Sequence, residues 1–183
     1  MRIIGGRARG TKLNTLKGEN TRPTLDRVKE SLFNIIQTEI TNSIFLDLFS
    51  GSGAIGLEAV SRGAKKSILC DKSKDAIGII KKNIEKTHLE KYVEYYQLSF
   101  EELINSKIKE KVDIVYIDPP YKTDYAYKSL EILIENRILK PDSLIIIETD
   151  EEKRIIEQIK NLKVDVIDQR KYGRAYLIFL KEK

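Results

Sequence analysis

Two apolar periodicities alternate along the chain. Leu25, Val28, Leu32, Ile35, Ile36 and Ile40 recur at the spacing that lines one face of a helix, which predicts a helix over about residues 24–40. Arg22-Pro23-Thr24 opens it: proline pre-sets its own torsion, and Thr24 or Asp26 can accept hydrogen bonds from the first free amides. Short runs dense in Ile, Val, Leu and Phe then predict strands at 44–49, 67–71, 92–98, 112–117, 143–148, 163–168 and 175–181. Helical spacing returns between the first five, at about 54–62, 73–87, 100–108 and 125–137, and again at 151–162. Such alternation is the pattern of a parallel sheet covered on both faces. The last two strands depart from it. Only Asp168 to Arg174 separates them, too short for a crossover, so they must pair as an antiparallel hairpin with Gly173 near the turn. The expected fold is α/β and Rossmann-like, a mostly parallel seven-stranded sheet ending in that hairpin.

The first strand runs into Asp47-Leu48-Phe49-Ser50-Gly51-Ser52-Gly53-Ala54-Ile55-Gly56. Gly51, Gly53 and Gly56 satisfy G-x-G-x-x-G where it has meaning, directly after a strand and at the start of a helix. Glycine there lets the backbone turn tightly and approach a ligand, while the helix N-terminus offers unpaired amides. Fifteen residues beyond Gly56, Asp71 ends the second strand, where a carboxylate can accept hydrogen bonds from two ribose hydroxyls. The pair points to a nucleoside cofactor and leaves NAD and S-adenosylmethionine as competitors. Asp47 favours the second, because a carboxylate beside the glycines would repel a pyrophosphate but suit the ammonium and sulfonium of the methyl donor.

Asp118-Pro119-Pro120-Tyr121 follows the fourth strand and borders the same crevice. An exocyclic amine has its lone pair delocalised into the base, and it becomes a nucleophile only if acceptors hold its hydrogens. Asp118 and the Pro119 carbonyl can supply two. The prolines, Pro120 included, withhold competing amides and stiffen the loop, and Tyr121 offers a flat face to an unstacked base. The tetrapeptide does not identify the base, so an adenine-N6 methyltransferase on DNA or RNA stays open, as does a non-catalytic RNA-binding assembly factor.

Charge adds a partner. The net of +5 is concentrated in residues 1–29, which carry eight basic and two acidic side chains and half of the ten arginines. A basic arm on a nearly neutral body is the footprint of a polyanion binder, and Arg7, Arg9 and Lys12, between Gly6 and Leu13, are the expected phosphate contacts. The expected division is an RNA-contacting arm or hairpin over 1–20 and a catalytic domain over 21–183.

The chain's single cysteine excludes an intrachain disulfide, and with one histidine it leaves no zinc cluster. No apolar run reaches membrane-spanning length and no signal-peptide pattern opens the sequence, so a cytoplasmic protein without membrane or metal is expected. His88 reads as exposed and Cys70 as a small core residue. Tyr92, Tyr95 and Tyr96 read as sheet filling, and Lys81-Lys82 as a solvated helix face.

RIIGGRARG, RPTLDRVKESLFNII, LDLFSGSGAIGLEAVSRGA, IDPPY and the late KYGRAYLIFL together resemble the RsmD family of bacterial 16S ribosomal RNA guanine-N2 methyltransferases, from Arg2 to the end of the chain. The resemblance implies a class I methyltransferase fold, S-adenosylmethionine as donor, and one guanine of the small-subunit RNA as target. It implies a cofactor set of Asp47, Ser50, Gly51, Ser52, Gly53, Asp71, Lys72, Ser99 and Phe100, and catalytic roles for Asp118, Pro119, Pro120 and Tyr121. It also places Arg22 and Thr24 near the target base, beyond their part in opening the helix. The substrate is expected within a small-subunit particle and the enzyme as a monomer. The chain departs from the family in CDKS, where glutamate is commoner than Asp71, and in Ser99-Phe100, where an acidic residue often touches adenine.

Overall fold

The computed structural model of the chain describes residues 1–16, 23–120 and 122–183. Among them seven strands form one sheet: β1 (Ile44–Asp47), β2 (Lys66–Cys70), β3 (Val93–Tyr96), β4 (Val112–Ile117), β5 (Leu139–Thr149), β6 (Val164–Tyr172) and β7 (Ala175–Glu182). Their order is β3-β2-β1-β4-β5-β7-β6, parallel through β5 and antiparallel in both pairings of β7. The helices are α1 (Pro23–Ile35), α2 (Gln37–Ile40), α3 (Ala54–Ser61), α4 (Lys74–Thr87), α5 (Phe100–Ser106), α6 (Tyr125–Glu135) and α7 (Glu152–Ile159).

Successive strand residues point to opposite faces, and both faces are buried. Phe45, Ile114, Ile146 and Phe179 pack with α1, α3 and α4, whereas Leu46, Val115, Ile145 and Ile178 pack with α5, α6 and α7. Two-sided burial is why these strands read as unbroken apolar runs. Each fully buried Leu or Ile contributes roughly 1.5–3 kcal/mol, enough in sum to fix the strand ends in a row. Strand order reverses at β1, whose neighbours are β2 and β4, so a crevice opens beyond their carboxyl ends.

Most element ends shift by one to three residues from the sequence expectation, and three elements differ more. The helix expected over 24–40 is interrupted at Ile36, which leaves helical geometry at ψ 17° before α2 resumes. β5 begins four residues early, through Lys140, Pro141 and Asp142, whose polar or proline character hides strand from a hydrophobic reading. β6 continues to Tyr172, so the hairpin turn is Gly173-Arg174 alone; as the edge strand it is mostly exposed, Val166 and Ile167 included.

The first 16 residues double back along α3 and α4. Arg2 bridges Lys12 antiparallel, and the Ile3 amide donates to the Thr11 carbonyl at 3.0 Å. Ile3, Ala8 and Leu13 enter the core shared by α1 and α3. Glu58, fully buried on α3, pins this segment by accepting the Ile4 and Gly5 amides, each at 2.8 Å, and pairing with Lys29 of α1 at 3.2 Å and Arg62 at 2.7 Å. Burial holds the Lys29 ammonium below the usual lysine range, and Glu58 draws it partly back.

Candidate active site

The turn after β1 is shaped by its glycines. Gly53 takes a positive φ of 79°, which a side chain would strain, and its carbonyl accepts the Leu57 amide that starts α3. Gly56 serves close packing: a Cβ there would lie 2.1 Å from Leu69 Cδ2 and 2.5 Å from Ser67 Oγ, so only glycine lets α3 lie this near β2. Asp71 closes the turn from the end of β2. Its Oδ2 accepts the Gly51 amide at 2.9 Å and its Oδ1 the Ser73 amide at 2.8 Å, where Ser73 caps α4.

A cavity of about 620 Å³ lies against this turn. Gly51, Asp71, Lys72, Ser99, Phe100, Asp118, Pro119 and Pro120 line it, so the strand-end residues singled out from the sequence do converge. The loop after β4 is braced: Thr123 Oγ1 donates to the Pro120 carbonyl at 2.8 Å, and Arg154 of α7 donates to the Thr123 carbonyl at 2.9 Å. The same cavity has an aromatic wall, Phe49, Phe100 and Tyr125, with centroids 5.3 to 6.2 Å apart. Lys72 Nζ lies 6.0 Å from the Tyr125 ring centre.

Asp47 does not line the cavity; it is buried at the root of the turn, and neither carboxyl oxygen has a hydrogen-bond partner among the described residues. Burial pushes its pKa up to about 7, and the charge of Asp71 adds to the rise. Tyr116, level with Asp47 on β4, donates to Glu148 of β5. Burial and the Glu148 charge push the Tyr116 hydroxyl well above its usual range. Asp47, Asp71, Asp118 and Glu148 therefore surround this end of the sheet with acid, which suits a cationic ligand and repels a pyrophosphate.

Other expected positions do different work. Ser50 is buried, its hydroxyl donating to the Asp47 carbonyl at 2.9 Å and accepting the Cys70 amide at 2.9 Å, so it ties β1 to β2. Ser52 is buried beneath the turn and presents its carbonyl to Asn83 at 2.8 Å. The Ser99 hydroxyl and amide are spent on a reciprocal cap with Glu102 at the start of α5. Arg22, Tyr121 and the side chain of Thr24 lie outside the described residues.

Arg7, Arg9 and Lys12 are exposed, with the Arg7 guanidinium 4.5 Å over the Tyr92 ring. The Arg7 amide binds the Ser61 carbonyl, however, at the end of α3 remote from the glycine turn. An eight-residue helix is about 12 Å long, so the arm's tip flanks the body instead of overhanging the cavity.

Leu16, Leu48, Phe49, Leu98, Glu101 and Tyr125 also line the cavity and were not anticipated from the sequence. Phe49 and Tyr125 had a usable signal, as aromatic residues bordering the two motifs; Leu16 had none. Cys70 is buried and its thiol pushed up to about 12 by burial, as befits a core residue, and His88 is exposed at the end of α4. Tyr92 and Tyr96 are partly buried and pack on the two cores of the sheet, whereas Tyr95 of β3, the sheet's other edge, stays exposed beneath Lys81. Among the described residues, no group of three or more His, Cys, Asp or Glu is placed to hold a metal ion. No described helix is long and apolar enough to cross a membrane.

Residues 1–181 match the family model described as conserved hypothetical protein 95. The chain is 40% identical over 158 residues to ribosomal RNA small subunit methyltransferase D of Haemophilus influenzae, covering 85% of this chain and 82% of that protein. It is 34% identical over 154 residues to the Escherichia coli K12 protein of the same name, covering 83% and 76%. A solved hypothetical protein of Thermus thermophilus superposes with a TM-score of 0.80 at 26% identity over 98% of both chains. TrmN of Thermus thermophilus shares the fold alone, with a TM-score of 0.72 at 17% identity over 90% of this chain and 51% of that one. The chain thus has the class I methyltransferase fold and belongs to the conserved hypothetical protein 95 family, the RsmD family.

Proposed function

We propose that this protein transfers a methyl group from S-adenosylmethionine to the exocyclic N2 amine of one guanine in 16S ribosomal RNA. The observation that carries this reading is the single cavity shared by Gly51, Asp71 and the Asp118-Pro119-Pro120 loop. The names of the rRNA methyltransferase relatives support the choice of RNA.

The residues fit the cofactor. The unpartnered carboxyl of Asp47, buried at the root of the Gly51-Ser52-Gly53 turn, would attract the cationic methionine end seated on that turn. Asp71 keeps a lone pair on each oxygen after binding Gly51 and Ser73, enough to accept two ribose hydroxyls. Phe49, Phe100 and Tyr125 present flat apolar faces to an adenine. When bound, S-adenosylmethionine supplies a methyl carbon on a cationic sulfur, which departs as a neutral thioether.

Asp118 and the Pro119 carbonyl accept the two hydrogens of the guanine amine and draw its nitrogen out of conjugation with the ring. The amine that gains a methyl group must shed one proton. Asp118 is exposed and receives it at its carboxylate, from which it passes to water. Tyr121 stacks on the extruded base. Residues 1–20 act as an RNA-contacting arm on a catalytic body of 21–183, and a cytoplasmic monomer works on a small-subunit particle.

The test is a map of methylated nucleosides in ribosomal RNA from cells lacking the protein, against a matched parent. Loss of one N2-methylguanosine from the 16S RNA is expected. An unchanged 16S map, or loss of an N6-methyladenosine instead, would reject the assignment.

A further inference from the structure

Asn83 occupies a place on α4 where an apolar residue would be expected. It shares the inward face with Ile77, Ile80 and Ile84 and is fully buried. Burying a side-chain amide costs free energy unless its polar atoms are matched, and here they are. Its Nδ2 donates to the Ser52 carbonyl at 2.8 Å and to the Asn14 carbonyl at 3.0 Å, and its Oδ1 accepts the Asn14 amide at 2.8 Å. One side chain thus clasps the glycine turn with one bond and the root of the basic arm with two.

Two residues past Asn14, Leu16 lines the cavity together with Gly51 and Asp71. The arm root therefore meets the cavity twice, through Leu16 directly and through Asn83 and the turn. The tip of the same arm carries the exposed Arg7 and Arg9.

Resting on the cofactor and RNA assignment above, we propose that Asn83 is a positioning residue that couples the two ligands: filling the cofactor cavity fixes the arm root, and RNA held by the arm tightens the cofactor. The coupling works through Ser52. A ligand that settles on Gly51-Ser52-Gly53 fixes the Ser52 carbonyl, the Asn83 amide then loses its freedom to turn, and both backbone bonds of Asn14 are held. Linkage requires reciprocity, so RNA raises cofactor affinity by the factor by which cofactor raises RNA affinity. An asparagine that only satisfied buried backbone groups would leave the arm root indifferent to the ligand.

The test is amide hydrogen exchange at Asn14, Thr15 and Leu16, with and without saturating S-adenosylhomocysteine, whose binding is followed in parallel by calorimetry. In the parent chain the ligand is expected to slow exchange of the Asn14 amide by about fivefold or more. Lys82→Ala, on the exposed face of α4, keeps that slowing, and Asn83→Ala loses it. Should Asn83→Ala fail to fold, Asn83→Gln, which keeps an amide but displaces it by one methylene, is read in its place with the same expected loss. S-adenosylhomocysteine bound to the parent with unchanged exchange at Asn14 overturns the coupling, as does slowing that survives in a folded Asn83 variant. No binding to the parent at all overturns the cofactor assignment, and the coupling with it.

Discussion

Asp71 holds the Gly51 amide at 2.9 Å, so the end of β2 and the turn after β1 are set as one unit. Asp71→Ala should therefore weaken S-adenosylhomocysteine in two ways, by losing ribose acceptors and by releasing the turn. Charge-assisted hydrogen bonds are worth about 1.5–3 kcal/mol each, so a loss of at least about tenfold in affinity is expected by calorimetry. Asp71→Asn, which keeps one acceptor for Gly51, should lose less. Unchanged affinity in Asp71→Ala would remove this residue from the cofactor site.

The Asp47 carboxyl, pushed up to about 7, makes cofactor binding pH-dependent. A cationic ligand requires the carboxylate, so affinity for S-adenosylmethionine should fall as pH drops through 7, approaching tenfold per unit below it. Folding stability runs the other way. Between the ordinary carboxyl range and about 7 the native state binds the extra proton, so the contribution of Asp47 is most favourable below that window and is lost as pH rises through 7. Asp47→Asn should flatten both dependences. Calorimetry and urea unfolding at about pH 6 and 8 measure them, and a parent whose affinity ignores pH would contradict the role.

Where the sequence was legible, a period or a spacing carried the signal. Alternating runs such as Phe45-Leu46 and Ile114-Val115 marked strands buried on both faces, and Gly51, Gly53, Asp71 and Asp118 stood at strand ends that the topology had to bring together. What stayed hidden depends on contacts between residues distant in the chain. Glu58 reads as an ordinary helix glutamate until the Ile4 and Gly5 amides, Lys29 and Arg62 meet it. Leu16 carries no chemistry of its own and enters the site only because the arm returns along α4. The arm's direction was likewise invisible: charge located the arginines in the chain, while the bond from Arg7 to Ser61 decided which end of α3 they reach.

That placement alters what the arm should do. Arg7, Arg9 and Lys12 stand away from the cavity, so replacing all three with alanine should leave cofactor affinity unchanged while weakening RNA binding. Each phosphate that the variant no longer neutralises should flatten the salt dependence of RNA affinity by roughly 0.7 log units per decade of salt on single-stranded RNA. A titration against salt for parent and variant measures this; equal slopes would show that these side chains touch no phosphate.

Methyl transfer to a guanine amine through Asp118 is tested most directly by following radiolabelled methyl from S-adenosylmethionine into small-subunit RNA or particles, for the parent and Asp118→Ala, and digesting the product to nucleosides. The parent should place its label in N2-methylguanosine. Asp118→Ala should bind S-adenosylhomocysteine as the parent does and turn over on the order of 100-fold more slowly or worse, since the missing acceptor acts on the incoming amine. A variant within about threefold of the parent rate, or label recovered in another base, would contradict it.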